Sequence, residues 1–380
     1  MQNYQDRYNV SFNSFADIYA CHAYLSEESN WRKCKVKDLK VEPLVKPSPL
    51  LGEYGRYASG VSEAAIDDTA KNTRLAVNVN GDLYPLRDTA YKTLLDRAKI
   101  NGTVLPKLSK NVLSDILNEC LSISESDALV LIRDEKISAI HSGDEKDYSV
   151  LPIERLLDSV QYKLNERFPG NVFEGGYSDH SITTAMWNMP NQKDELIGAY
   201  TRLIKSQGMT ALADKLVPAI RFITSDTGVA SAKVSAFLSD GSMLIHIGSC
   251  IAVEHRNGKT VDNFKDSLDM LFAQFGDNVK KLMELVNIPL MYPVNAMTRI
   301  CKKLAMPKKA ATMAIKQFAD TCNPGVVVSA HDVFYAMQEI PFLLKCDNVP
   351  ESKIVAVEEN MARVLHLNWD EFDLATEVSY

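Results

Sequence analysis

Val234-Ser235-Ala236-Phe237-Leu238-Ser239-Asp240-Gly241-Ser242-Met243-Leu244-Ile245-His246-Ile247 carries the clearest strand–turn–strand signal in the chain. Val234, Ala236 and Leu238 alternate with residues of the other face. Asp240-Gly241 supplies a tight turn, and Met243 to Ile247 returns. Strands are also expected over 171–177, 181–188 and 219–225, with helices from Asp194 to Lys205 and from Thr210 to Leu216. From residue 262 the period changes. Phe264, Leu268, Leu271, Phe272 and Phe275 recur at helical spacing, resumed by Val279, Leu282, Met283 and Val286, and Gly276-Asp277 divides the run into two helices. More helices are expected at about 294–305, 308–321 and 330–345, separated by Pro307 and Asn323-Pro324-Gly325. The fold class is α+β: a β-rich mixed body with antiparallel hairpins, followed by a helical C-terminal subdomain.

Upstream, Asn80-Gly81 between Leu75-Ala76-Val77-Asn78-Val79 and Leu83-Tyr84-Pro85-Leu86 reads as a hairpin. Asp88 or Thr89 then caps a helix with Ala90, Tyr91, Leu94, Leu95 and Ala98 inward, and a second helix runs from Ser109 to Cys120 with Val112, Leu113, Ile116 and Leu117 inward. Ala128–Ile132 and Ile137–Ile140 flank a charged turn, and Pro152 opens a helix carrying Leu156, Leu157, Val160 and Leu164. Residues 1–60 show no such order. Lys35 to Val41 reads as a strand, and Pro43, Pro47, Pro49, Gly52, Gly55 and Gly60 follow. The expected organisation is an extended N-terminal arm and Pro/Gly-rich connector (1–60), an α+β body (61–260) and a helical subdomain (261–380).

At 380 residues, with 46% hydrophobic and 24% charged, the chain can bury a core without disulfides or structural metals. Seven cysteines, odd in number, far apart and without a Cys-x-x-Cys pair, argue against a disulfide framework or a zinc ribbon. A net charge of −7 excludes a uniformly basic surface and leaves room for a local basic patch. No apolar run reaches a bilayer-spanning length and Met1 to Arg7 lacks a secretory pattern, so no membrane partner and a cytoplasmic location are expected.

No phosphate-binding G-x-x-x-x-G-K-S/T loop, G-x-G-x-x-G, H-E-x-x-H or G-x-S-x-G occurs, and no cofactor or metal is expected. Two polar loops are the candidates for chemistry. Asp179 and His180 follow Gly175-Gly176, and a His–Asp pair can move protons, although most such pairs are simply hydrogen-bonded. Ser225 and Asp226 lie in Thr224-Ser225-Asp226-Thr227-Gly228, a composition found at phosphate sites but more often in ordinary turns. The third candidate is basic: Arg299, Lys302 and Lys303 share a helical face, and Lys308 and Lys309 follow beyond Pro307. The segment reads as a helix-turn-helix with Ala305 where glycine is usual, against the plainer reading of a helical hairpin with a solvated basic face.

Several segments together resemble a family of phage/plasmid-like proteins of unknown function carried by phages, plasmids and conjugative elements. They are Asn30-Trp31 with Val36 to Val41, Leu86 to Leu95, Ile137 to Ser142, Asp147 to Leu157, and Ile223 to Gly228 continuing to His255-Arg256-Asn257-Gly258. The resemblance spans roughly 30–320. It implies a mobile-element accessory protein in a bacterial host cell, acting near DNA replication, recombination or host takeover, with no assigned catalytic residues. The expected partners are DNA, single- or double-stranded, or host or phage proteins. An enzyme acting on nucleotides or nucleic acid through Asp179, His180, Ser225 and Asp226 is the alternative, and a homo-oligomeric scaffold is a third.

Overall fold

The computed structural model describes residues 3–44, 55–241, 243–248, 250–322 and 326–380. Pro47, Pro49, Gly52 and Asn323-Pro324-Gly325 therefore lie outside the described residues. The fold is α+β, with antiparallel sheets and a helical C-terminal region. Among the described residues, no helix is long and apolar enough to cross a membrane.

A seven-stranded antiparallel sheet organises the larger part. It is built from β1 (Asn9–Phe12), β8 (Val172–Asp179), β9 (Thr183–Asn188), β10 (Val217–Thr224), β11 (Ala232–Ser239) and β12 (Leu244–His246) in that order, and β13 (Ile251–Val253) also pairs with β11. The Asp240-Gly241 turn sits where the sequence places it, with Ser239 opposite Leu244 and Phe237 opposite His246. Alternation along β10 gives the sheet two buried faces. Ile220 and Phe222 pack into the main core with the helices Ile153–Arg167, Lys193–Ser206 and Val261–Val286, whereas Arg221 and Ile223 face the helix Glu351–Val364.

Residues 30–142 form a second unit with its own core, running from Val36 to Ile140. Its strands are β2 (Asn30–Lys35), β6 (Asp127–Arg133) and β7 (Lys136–Ser142) in one sheet, and β3 (Lys40–Pro43), β4 (Leu75–Val79) and β5 (Asp82–Pro85) in another. Asn80 (φ 56°) and Gly81 (φ 98°) make the expected two-residue hairpin, with left-handed backbone at both positions.

Several expectations are corrected. The described residues of 1–60 are no extended arm: they hold β1, a helix Phe15–Glu27 capped by Ser14, β2 and β3. The helix escapes a periodicity search because its buried stripe, Ile18, His22 and Leu25, includes a histidine. Lys35 to Val41 bends at a short 3-10 turn, Val36–Asp38, instead of running as one strand. Val112 faces solvent, and the helix Lys110–Ser122 buries Leu113, Leu117 and Leu121. The helix Asp88–Arg97 is preceded by Arg87 rather than capped by Asp88 or Thr89. Val261–Val286 passes through Gly276 unbroken, since nine buried residues outweigh the roughly 1 kcal/mol a helical glycine costs. The expected 330–345 helix is two, Ala330–Met337 and Glu339–Cys346. The boundary near 260 does not divide the core: one apolar cluster runs from Phe12 to Phe372 and includes strand residues of the body together with the C-terminal helices.

Candidate functional site

The loop after β10 is buried. Thr224, Ser225, Asp226 and Thr227 are each at most 9% exposed, unlike an ordinary surface turn. Ser225 Oγ shapes it by accepting the N–H groups of Thr227 and Val229, both at 3.2 Å. Asp226 then reaches across to the smaller unit. Its Oδ2 meets Arg133 Nη2 at 2.5 Å, with both side chains 12% exposed. Arg133 Nε donates to Ser29 Oγ at 2.7 Å. The Asp226 carbonyl accepts from His141 Nε2 at 2.8 Å and from the Tyr148 hydroxyl at 3.0 Å. A carbonyl only accepts, so His141 carries its hydrogen on Nε2. The His141 ring lies flat on Tyr148 at 3.6 Å, His255 continues the stack at 5.7 Å, and Trp31 stands 6.1 Å from His141.

Asp179, His180, Ser225 and Asp226 do converge. All four line one cavity of about 10 Å³, together with Arg133 and His22, enough space for about one water. Asp179 and His180 are nevertheless not a catalytic pair in this geometry. Asp179 Oδ1 accepts the N–H groups of Ser181 and Ile182 at 2.6 and 2.9 Å, and Oδ2 accepts the Tyr177 hydroxyl at 2.9 Å. His180 Nε2 donates instead to the Gln5 carbonyl at 2.8 Å. A larger cavity of about 170 Å³ adjoins the first, sharing His22, Leu25, Arg133, Ile153 and Asp226 and extending to Trp31, Ser26, Ser29 and Glu154.

Charge states follow from burial and from Arg133. Burial, helped by the Arg133 charge, pushes the His22 imidazole down to about 4. Burial lowers His141 to about 4 against the pull of its bond to the Asp226 carbonyl, and lowers His180 to about 3 with help from Arg87. Burial alone would raise the Asp226 carboxyl, but the Arg133 charge and hydrogen bond outweigh it and hold the group below its ordinary range. Near neutral pH the site is therefore an ionised Arg–Asp pair among uncharged imidazoles. Despite this histidine density, no group of three or more His, Cys, Asp or Glu among the described residues could hold a metal ion.

A second ionic cluster seats the N-terminal segment beside it. Asp6 lies 2.9 Å from Lys136 and 3.7 Å from Arg87, with all three side chains at most 1% exposed. Arg87 also donates to the carbonyls of Asn3, Tyr4 and Gln5 at 3.3–3.5 Å. Buried ion pairs seldom repay their desolvation, so their concentration at one seam marks it as a functional candidate. Sequence reasoning missed Arg133, His22, Trp31 and Tyr148 as members of this site. The segments 137–142 and 147–157 reach Asp226 through His141 and Tyr148, and Ser149 N–H donates to His255 O at 2.8 Å.

The basic segment forms the two expected helices, Pro293–Lys303 and Lys308–Thr321, joined through Ala305 at φ 48°. Its charges are largely engaged by the chain itself. Arg299 donates to Thr376 O at 2.8 Å, Lys303 lies 4.0 Å from Glu371 and over the Phe372 ring, and Lys309 pairs with Asp347 at 2.6 Å. Lys302 and Lys308 are exposed and make no ion pair among the described residues. The chain matches no family model, no curated protein and no solved structure.

Proposed function

We propose that the chain binds a nucleotide, or one unstacked base of a nucleic acid, in the cleft between Trp31 and the Arg133–Asp226 pair. The observation that carries this reading is the 170 Å³ cavity, with a half-buried tryptophan on one side and a buried arginine on the other. A base stacks on an indole, and a guanidinium meets phosphate or a base edge. Arg133 Nη1 makes no hydrogen bond among the described residues, leaving its two N–H groups for a ligand. Ser26, Ser29 and Glu154 supply polar contacts around the rim. The volume is below the roughly 300–1,000 Å³ of drug-sized sites, which favours one heterocycle over a dinucleotide. The self-engaged basic hairpin gives that surface less to offer DNA.

Tryptophan emission tests this directly. Trp187 and Trp369 are at most 2% exposed, so ligand-dependent quenching reports on Trp31. Titration with mononucleotides and short single-stranded DNA should give saturable quenching that weakens with salt and disappears in Trp31→Phe. No quenching up to about 1 mM ligand would refute the reading.

The water-sized cavity beside Asp226 favours a second reading, hydrolysis of the bound ligand. An ionised Asp226 and a neutral His22 flank that space, and either can take a proton from water. Product release by the wild type that fails in an Asp226→Asn variant still folded and still quenched by the ligand would support it, whereas binding without turnover by the wild type would leave a binding protein.

A further inference from the structure

Trp31 belongs to a strand whose alternation carries positive charge away from the cleft. In β2, Cys34 packs against the core of the smaller unit. Side chains alternate along a strand, so Trp31, Lys33 and Lys35 share the opposite face. Successive members of this row stand about 6.6 Å apart, two residues of strand rise. Lys33 is exposed and makes no ion pair among the described residues. Lys35 pairs with Asp127 at 2.6 Å, with the two side chains 48% and 54% exposed. Surface pairs of this kind contribute at most about 1 kcal/mol, so Lys35 can turn to a stronger partner.

The same strand is an edge of its sheet, which runs in the order β2-β6-β7. Val36 N–H donates to Ser126 O at 3.0 Å, and this fixes the phase of the hydrogen-bond ladder. Asn30, Arg32 and Cys34 bond inward to β6, whereas Trp31, Lys33 and Lys35 turn their N–H groups off the edge. Among the described residues no strand pairs there. Lysines and backbone N–H groups in one row are the donors that phosphate oxygens accept from.

Inside the cleft the charge balance is reversed. Its charged lining residues are Arg133, Glu154 and Asp226, and His22 is uncharged near neutral pH. The one cation is outnumbered, so a phosphate seated there would meet net negative charge, and a neutral base would not. The cleft suits the base of a nucleotide, and β2 suits its phosphates.

We propose that the ligand of the Trp31 cleft is a single-stranded nucleic acid rather than a free nucleotide, with one base in the cleft and the adjoining phosphates running outward along β2 over Lys33 and Lys35. The inference rests on the cleft proposed above and adds to it a chain length and a direction. The rival partner for an open basic edge is an acidic peptide added as a further strand.

Trp31 quenching in the full chain, titrated with thymidine, thymidine 5′-monophosphate, the thymidine tetranucleotide and tetraglutamate, tests this. At about 50 mM salt the tetranucleotide should bind at least about tenfold tighter than the monophosphate. Its affinity should fall with salt at a log–log slope of about −1.4, the value for two neutralised phosphates on a single strand. Lys33→Ala, at an exposed position, should reduce that slope by about 0.7 and leave thymidine binding unchanged. Lys302→Ala on the basic hairpin should leave the slope as it is. Equal affinity for monophosphate and tetranucleotide, a slope untouched by Lys33→Ala, or a slope lost in Lys302→Ala overturns the track along β2 and leaves the cleft standing as a nucleotide site. Tetraglutamate binding as tightly as the tetranucleotide overturns it in favour of a peptide. No quenching by any of the four up to about 1 mM removes the cleft itself, and this inference with it.

Discussion

Lowering the pH should unfold this protein well before its carboxylates titrate. His22, His141 and His331 are each at most 6% exposed, and burial holds their imidazoles at about 4, below the ordinary 6.5. A base with depressed proton affinity in the folded state is protonated first in the unfolded chain. Its stabilising contribution is complete above about pH 6.5 and is lost as pH falls towards 4. At full slope each such group costs about 1.4 kcal/mol per pH unit inside that window, so three cost about 4. Between pH 6.5 and 5 the loss is then about 5 kcal/mol, since the slope is only half developed at pH 6.5, and this is comparable with the roughly 5–15 kcal/mol a typical fold possesses. Urea unfolding followed by circular dichroism at half-unit steps from pH 7.5 to 5 measures the slope. His141→Phe should flatten it by at most about a quarter, because His180 is held down by burial as well, and Tyr148 still donates to the Asp226 carbonyl. The Asp226 carboxyl, held low by Arg133, contributes in a separate window, with stability present above about pH 4 and lost below it. A wild-type stability that is flat between pH 7 and 5, or a slope untouched by His141→Phe, would refute the reasoning.

Asp226→Asn leaves Arg133 buried without its counter-charge and should cost about 3 kcal/mol in chemical denaturation, with part recovered in the double variant Asp226→Asn, Arg133→Met. Asp6→Asn should also destabilise, chiefly by leaving the fully buried Arg87 without a carboxylate, since Lys136 keeps Asp68 at 2.5 Å, and a thermal melt will show this. Ala305→Gly should stabilise by roughly 0.5–1 kcal/mol, measured by melting temperature. Residue 305 holds the left-handed position of a helix C-terminus in which Met306 N–H meets Cys301 O and Ala305 N–H meets Lys302 O. Asp373→Ala removes the acceptor for the Met291 and Tyr292 N–H groups at the start of the Pro293–Lys303 helix. It should cost about 1 kcal/mol and loosen the tail, read by hydrogen exchange at residues 291–295.

What the sequence made legible was local. Asn80-Gly81 and Asp240-Gly241 carry their turn chemistry in two adjacent residues, and the long helix from Val261 carries its stripe within one segment. Elements whose buried face includes a polar residue escaped. His22 interrupts the first helix, and Glu358 interrupts Glu351–Val364, because each is satisfied by a partner far along the chain: Thr183 for His22 and Arg221 for Glu358. The candidate site divides in the same way. Asp179, His180, Ser225 and Asp226 are visible as turn residues, and they share a cavity. Arg133, Trp31 and Tyr148 come from other elements and announce nothing by spacing. The basic segment is readable as two helices, but nothing in its spacing tells that Glu371 and Asp373 of the C-terminal segment lie against it.

The separation of the two apolar cores has a consequence for cooperativity. Residues 36–140 pack among themselves, and the contacts that tie them to the large sheet at this seam are ion pairs, a stacked ring cluster and a threaded N-terminal segment. Units joined in this way lose their coupling when the seam opens, so each can exchange its amide hydrogens at its own rate. Whether the chain melts in one transition or two is then decided by Arg133, Lys136 and Asp6 rather than by either core, and a ligand seated at Trp31 would act as a clasp that merges the two transitions into one.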